Sequence, residues 1–377
     1  MDANKLKNTV SDTVKLITKS AMLSKYVVVM LCVVIVLIML AWVWNKSRLD
    51  QANCRAMDNL YKDFAKLHTL NIRADGFEHN LRDYYIKTAY NACCAGQFKN
   101  DFVNVCALKN CIKQGCRCLD FEVYSVDNKP VIATSSMDNY SIKETYNSVP
   151  FASAMQTIHD YAFSGGTCPN PGDPLIIHLR IMSNNKLIYK EMANNLETAL
   201  SGKLLGPKYS FENHGKNIGS LPLKTFMGKV IIVADKSNPL FADTELDEYV
   251  NISSNSIFMR CLRYSDGVKF APDMNEVIEF NKKCMSICLP DLSDNNTNPN
   301  ASLAMKYGCQ MIAMCTQNFD SNMEYYDSVF DNAGTAFILK PKSLRFIPLT
   351  IPKPTPQNPA VSYQTRHIDG GYYKMSI

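Results

Sequence analysis

Between Tyr26 and Trp44 the chain reads YVVVMLCVVIVLIMLAWVW, nineteen residues without a charge. At about 1.5 Å of rise per helical residue this run just crosses a hydrocarbon core of roughly 30 Å. A secretory leader has a shorter apolar run, ~7–15 residues, and a small-residue cleavage site. Trp42-Val43-Trp44 is instead the interfacial aromatic belt of an uncleaved anchor. Over residues 45–82, Leu49, Met57, Leu60, Tyr61, Phe64 and Leu67 recur at helical spacing and predict a stalk or lead-in helix. From about 83 to 346 the pattern becomes short apolar runs, CLDFEVYSV, KPVIATS, PLIIHLRI, GKVIIVAD, YGCQMIAMCTQ and TAFILKPKSL, with helical stretches at 151–163, 187–203 and 275–287. Strands alternating with helices predict βα units around a parallel sheet. The tail, 347–377, opens with five prolines between Pro348 and Pro359, which favours an extended segment over helix or sheet.

Composition narrows the function classes. The mean hydropathy of −0.15 excludes a polytopic membrane protein. The formal charge of +5 is spread without a Lys/Arg block or basic-aromatic stripe, so no nucleic-acid partner is expected. Lys5, Lys7, Lys15, Lys19 and Lys25 precede the span and only Lys46, Arg48 and Arg55 follow closely, which places the basic tail, 1–25, in the cytoplasm and the domain in the lumen, outside the cell or on a virion surface. Thirteen of the 14 cysteines lie outside the span, enough for six disulfides and one free thiol in an exported domain. Cys116-Arg-Cys118 and Cys284-x3-Cys288 lack zinc-ribbon spacing and the six histidines are scattered, so no metal-thiolate site is predicted.

Six segments in chain order carry a family likeness. DYYIKTAYNACCAGQ (83–97) resembles the pattern YFINSSHNTYLTG that opens the catalytic domain of phosphoinositide-specific phospholipase C, and QGCRCLDFEVY (114–124) resembles its QGCRCVELDCW. KPVI (129–132) and IHDYAF (158–163) are similar to its PVIYHG strand and AIRDYAF helix. YGCQMIAMCTQ (307–317) looks like VGCQMVALNFQ, and the run 330–345 looks like the closing GYVLKPEFLR. The resemblance implies a distorted (β/α)8 TIM-type barrel over 83–346, preceded by one transmembrane helix at 26–44. The Asn/Lys-rich composition, cysteine load and single anchor also resemble those of membrane proteins of large DNA viruses.

The family reaction needs two histidines and a calcium ion on the C-terminal rim of the barrel. The resemblance puts Tyr90 where the first histidine belongs and Ala133-Thr134-Ser135 against the second, with Thr134 in its place. Asn91, Asp120 and Glu122 match three calcium ligands, the two acids exchanged, and Arg180 stands where the fourth ligand is a glutamate. A guanidinium there removes a ligand and adds a competing cation, so calcium binding is expected to be weak or absent and no other cofactor is implied. Arg180 either pairs with Asp120 or Glu122, or holds a phosphate bidentately. His178 alternates with Arg180 on one strand face and, with Tyr90, is the substitute acid/base pair to weigh; His159 falls on the outside of the barrel. The family's phosphate-reading lysines fall at Val233 and Asp235, and its headgroup arginine near Ser293, with Arg260 or Arg263 as replacements. The expected function is a membrane-anchored, catalytically degenerate barrel that binds a phosphoinositide or other phosphodiester headgroup or serves a structural role; the alternative is an active phosphoric diester hydrolase with an altered acid/base set.

Overall fold

A computed structural model describes residues 3–71, 79–138, 142–293, 295–348, 353–356, 358 and 363–377. Residues 3–60 contain no glycine or proline, and they form one unbroken helix, α1 (Ala3–Leu60). Its Ser24–Leu60 part is long and apolar enough to cross a membrane. The stalk helix predicted to residue 82 stops at Leu60, because the chain there turns into the barrel wall. Tyr61 is buried and its hydroxyl donates to the Thr316 carbonyl at 2.6 Å, and the Lys113 ammonium takes the carbonyls of Tyr61 and Lys62 left open at the helix end. Of the rest of that predicted helix, residues 72–78 lie outside the described residues.

The barrel follows. Its strands are β1 (Tyr84–Ala89), β2 (Cys118–Val126), β5 (Leu175–Ile181), β6 (Val230–Asp235), β7 (Ile252–Ser254), β8 (Met259–Arg263), β9 (Met285–Leu289) and β10 (Met311–Met314), in the order β7-β6-β5-β2-β1-β10-β9-β8 with every pair parallel. Among the described residues the ring is left unladdered between β7 and β8. β3 (Lys129–Ala133) and the short β4 (Val149–Pro150) extend β2 as an antiparallel flap, and β11 (Phe337–Leu339) pairs antiparallel with β1. The helices α2 (Val105–Lys113), α3 (Phe151–Ala162), α4 (Leu187–Leu200), the short α5 (Ser210–Gly215), α6 (Met274–Lys283), α7 (Ala301–Lys306) and α8 (Ser321–Ala333) join them. The helix expected over 275–287 ends at Lys283; its last residues begin β9, since a short apolar run such as MSICL fits a buried strand as well as a helix turn.

Period-2 alternation sorts the strand residues. Leu119, Phe121 and Val123 of β2, Ile177, Leu179 and Ile181 of β5, and Ile232 and Ala234 of β6 pack outward with Phe151, Met155, Ile188 and Met192 of α3 and α4. The inward set begins apolar, with Cys118, Ile176 and Ile231, and becomes polar toward the strand ends, with Asp120 and Glu122, His178 and Arg180, and Asp235. The floor of the barrel is therefore a packed core and the mouth a buried polar layer.

One charge is sealed into the floor. Lys340 is 1% exposed and its ammonium donates to the carbonyls of Asn281 and Gly308. Burial pulls its pKa from the ordinary lysine range down to about 7, against the attraction of Asp83. Between about pH 7 and the unfolded value the unfolded chain binds more protons than the folded one, so stability rises with pH across that window. Urea titrations across that window are expected to show this rise in the wild type and to lack it in the Lys340→Met variant.

Two further features bear on α1 and the cysteines. α1 runs parallel to α2: Asn104 donates to Asp50, Cys54 is disulfide-bonded to Cys106, and Asn110 donates to Asp58. α2 leads from the loop above β1 down to the start of β2, so the apolar part of α1 leaves the barrel at its mouth end, where Lys46 donates to the Asn100 carbonyl and lies over the Tyr146 ring. The six disulfides allowed by the cysteine count reduce to one; the other cysteines are free thiols, most of them buried as small apolar groups. Residues 346–377 form a separate unit, in which β12 (His367–Asp369) and β13 (Lys374–Ser376) make an antiparallel hairpin beyond the last proline, a sheet element the proline pattern did not predict. Part of the proline stretch, 349–352 and 359–362, lies outside the described residues.

Candidate active site at the barrel mouth

The register of β2 against β5 sets Asp120 beside His178 and Glu122 beside Arg180. Arg180 reaches inward and donates from all three of its nitrogens to protein groups. Its Nε and Nη2 donate to the two oxygens of Asp120 at 2.9 and 2.7 Å, its Nη1 donates to Glu122 Oε1 at 2.9 Å, and Nη2 donates to Asn91 Oδ1 at 2.9 Å. Asn91 adopts the left-handed backbone that asparagine tolerates, φ 43°, which lets its side chain also donate to Glu122 while its backbone N–H meets Asp120. Glu122 is completed by the Tyr124 hydroxyl and the Ser135 N–H. The three residues matched to calcium ligands thus all bond the guanidinium. Burial by itself raises the Asp120 pKa, but Arg180 and the His178 hydrogen bond outweigh it and hold the carboxyl far below the usual range. Arg180 is in turn held well above its ordinary value, Asp120 overcoming burial.

His178 is fully buried between two partners, Asp120 Oδ1 at 2.7 Å from Nδ1 and Ser254 Oγ at 2.9 Å from Nε2. An ionised carboxylate only accepts, so Nδ1 carries the hydrogen and Nε2 accepts from Ser254. Tyr90 is buried with its ring 5.5 Å from that of Phe98 and 4.9 Å from the Arg180 guanidinium. Burial pushes its hydroxyl up to about 12, with Arg180 and Arg263 pulling the other way. Thr134 donates to the Phe98 carbonyl and braces the rim. His159 lies exposed on α3 against Asp160.

Above this layer opens a cavity of about 180 Å³ whose walls include Asp138, Arg180, Asp235, Asn255, Cys261 and Arg263. Of the two arginines weighed for the headgroup, Arg263 faces the cavity: it donates to Asp138 at 2.8 Å and to the Tyr90 hydroxyl at 3.3 Å. Arg260 instead forms a two-pronged pair with Glu276 over Phe280, away from that cavity. Val233 is core, Asp235 caps the Ser237 N–H and accepts from Asn255, and Ser293 accepts from Asn295 in the loop after β9. Sequence reasoning did not single out Asp138, Ser254 or Cys261. Asp235 was named only through the resemblance, as a position where the family has a phosphate-reading lysine.

Two sequence profiles match the chain: "Phosphatidylinositol-specific phospholipase C, X domain" over residues 77–236 and "Phosphatidylinositol-specific phospholipase C, Y domain" over 248–343. The chain belongs to the phosphatidylinositol-specific phospholipase C family. Its X and Y regions adjoin, separated by 237–247 alone. Among solved structures it is similar to PLC21 of L. pealei, at TM-score 0.62 and 18% identity, over 74% of this chain and 39% of that one. PLC21 of S. officinalis aligns over the same shares, 74% and 39%, at TM-score 0.57 and 18% identity. The phospholipase C-like protein thus spans well under half the length of these relatives, and at this identity they show the shared barrel fold. A search of curated protein sequences finds no match.

Proposed function

We propose that this family member is a membrane-anchored barrel whose catalytic rim has become a binding or structural module for a phospholipid or other phosphodiester headgroup. The carrying observation is the Arg180 guanidinium bonded at once to Asp120, Glu122 and Asn91. A calcium ion would need those same oxygens and would meet a fixed positive charge, so calcium binding is weak or absent. The acid/base pair is equally poor. Tyr90 holds its proton to about pH 12, and both nitrogens of His178 are engaged behind the cavity wall. Arg263, on the cavity wall, is the cation placed to meet a phosphodiester.

The anchor supports the lipid assignment. The apolar stretch of α1 leaves at the mouth end, which turns the cavity toward the bilayer that the helix would span. Basic residues before the span, together with a disulfide that needs an oxidising compartment, favour a cytoplasmic N-terminus and a luminal or external domain.

The test uses the full chain in detergent with phosphatidylinositol and its phosphorylated forms, with and without Ca²⁺. No phosphorylated inositol is expected to be released under either condition. A soluble glycerophosphoinositol is expected to raise the Tm, and Arg263→Ala to remove that rise. Turnover that disappears in Asp120→Asn or Arg180→Ala would establish the hydrolase instead.

A further inference from the structure

Beside the guanidinium cluster, and separate from the family's metal position, three other side chains converge. His178 of β5, Asp235 of β6 and Cys261 of β8 each bring one ligand atom to within 4.8 Å of the others. They are 57 and 26 residues apart in sequence, which is why local cysteine and histidine spacing gave no hint of them. We infer that the barrel mouth is a binding site for a zinc-class divalent cation held by His178, Asp235 and Cys261.

The donor set has the required chemistry. Asp120 takes the Nδ1 hydrogen of His178, leaving Nε2 as the ring nitrogen with a lone pair, the carboxylate–histidine arrangement that supports metal-bound imidazole. The present partner of Nε2 is a serine hydroxyl, which rotates away about one bond. Asp235 spends Oδ1 on the Ser237 N–H and the Asn255 amide, while among the described residues no hydrogen bond is seen to Oδ2. Cys261 is a free cysteine, and among the described residues no group hydrogen-bonds its sulfur. Imidazole, carboxylate and thiolate suit zinc and its neighbours, whereas calcium takes oxygen alone. Three protein ligands with a fourth place open is the pattern of an accessible zinc site, and Asp235 and Cys261 both line the cavity that would admit water and the ion.

Charge and architecture agree. The carboxylates of Asp120, Glu122, Asp138 and Asp235 face two guanidinium groups, Arg180 and Arg263, so the mouth carries an excess of two negative charges that a dication offsets. Cys261 stands on β8 and the other two ligands on β5 and β6, across the unladdered edge between β7 and β8; an ion there would tie the open seam. Bonds of ~2.0–2.3 Å place tetrahedral ligand atoms roughly 3.5 Å apart, so binding draws the three groups together by about 1 Å.

The experiment is a Co²⁺ titration of the metal-free full chain in detergent, followed by displacement with Zn²⁺. A thiolate-to-cobalt charge-transfer band is expected at one equivalent, quenched by Zn²⁺ and indifferent to Ca²⁺. It should vanish in Cys261→Ser and persist in Cys284→Ser, whose thiol is a half-exposed alternative. Should Cys261→Ser not fold, Asp235→Asn serves, with affinity expected to fall by at least the roughly 10–100-fold that loss of an outer-shell partner costs. Absence of the band in the wild type, or a band that survives Cys261→Ser, overturns the site.

Discussion

Changing Arg180 to glutamate makes the stability of the barrel depend on calcium. In the native protein Asp120 and Glu122 are fully buried, and the one guanidinium that bonds both is the cation directly opposing their charge. Removing one partner from a buried ion pair costs about 3–5 kcal/mol, because the other charge is left uncompensated in a medium that solvates it poorly. Arg180→Glu goes further and places a third carboxylate among two. In EDTA the variant is therefore expected to lose at least that much stability, seen as a large drop in Tm. With Ca²⁺ three carboxylates and the Asn91 amide can surround the ion as hard oxygen ligands. Calcium at 100 times its Kd returns about 2.7 kcal/mol. Differential scanning fluorimetry with EDTA and with millimolar Ca²⁺ checks this. The metal-free wild type should be indifferent to Ca²⁺, and Arg180→Gln should drop without recovery. A calcium-stabilised wild type, or an Arg180→Glu variant unaffected by the ion, would contradict the guanidinium-for-calcium reading.

Breaking the Cys54–Cys106 bridge is the second large effect. The bridge closes a loop of 52 residues between α1 and α2, for which the chain-entropy relation gives about 4 kcal/mol. The hydrogen bonds of Asp50, Asn53 and Asp58 to the rim and to α2 remain when it is cut, so the helix stays docked but is less firmly held. Urea unfolding of the wild type with reductant, and of Cys54→Ser/Cys106→Ser without it, are expected to show the same loss, roughly 2–4 kcal/mol. Reductant should do nothing more to the double variant, since the remaining cysteines are already thiols. A further loss on reduction would reveal other bridges.

Much of this architecture was readable from local pattern. The strand runs at 118–126, 175–181 and 230–235 coincide with apolar runs, because strands of a parallel sheet are covered on both faces; the run at 129–133 coincides with the antiparallel β3. The end of α1 was misread by some twenty residues, because a helical periodicity continues past Leu60 while tertiary anchors, Tyr61 on Thr316 and Lys113 on the terminal carbonyls, decide where the helix stops. At the site, the matched positions Tyr90, Asn91, Asp120, Glu122 and Arg180 were identifiable from the family likeness, and their grouping at the mouth followed. Ser254, Cys261 and Asp138 were not, since nothing near them in the chain marks them.

The chain alone determined what depends on composition and period: an apolar helix long enough to cross a bilayer and a βα succession; Tyr90 and Thr134 at the family's two histidine positions are what the resemblance implies. The tertiary structure decided what depends on register and on closing the ring. It chose bonding to both carboxylates, not to one, for Arg180; it placed His178 between Asp120 and Ser254; it paired Cys54 with Cys106 alone; and it brought Cys261 to Asp235 across the seam. These contacts join residues far apart in the chain, and their distances follow from strand pairing and packing, which no local pattern of residues encodes.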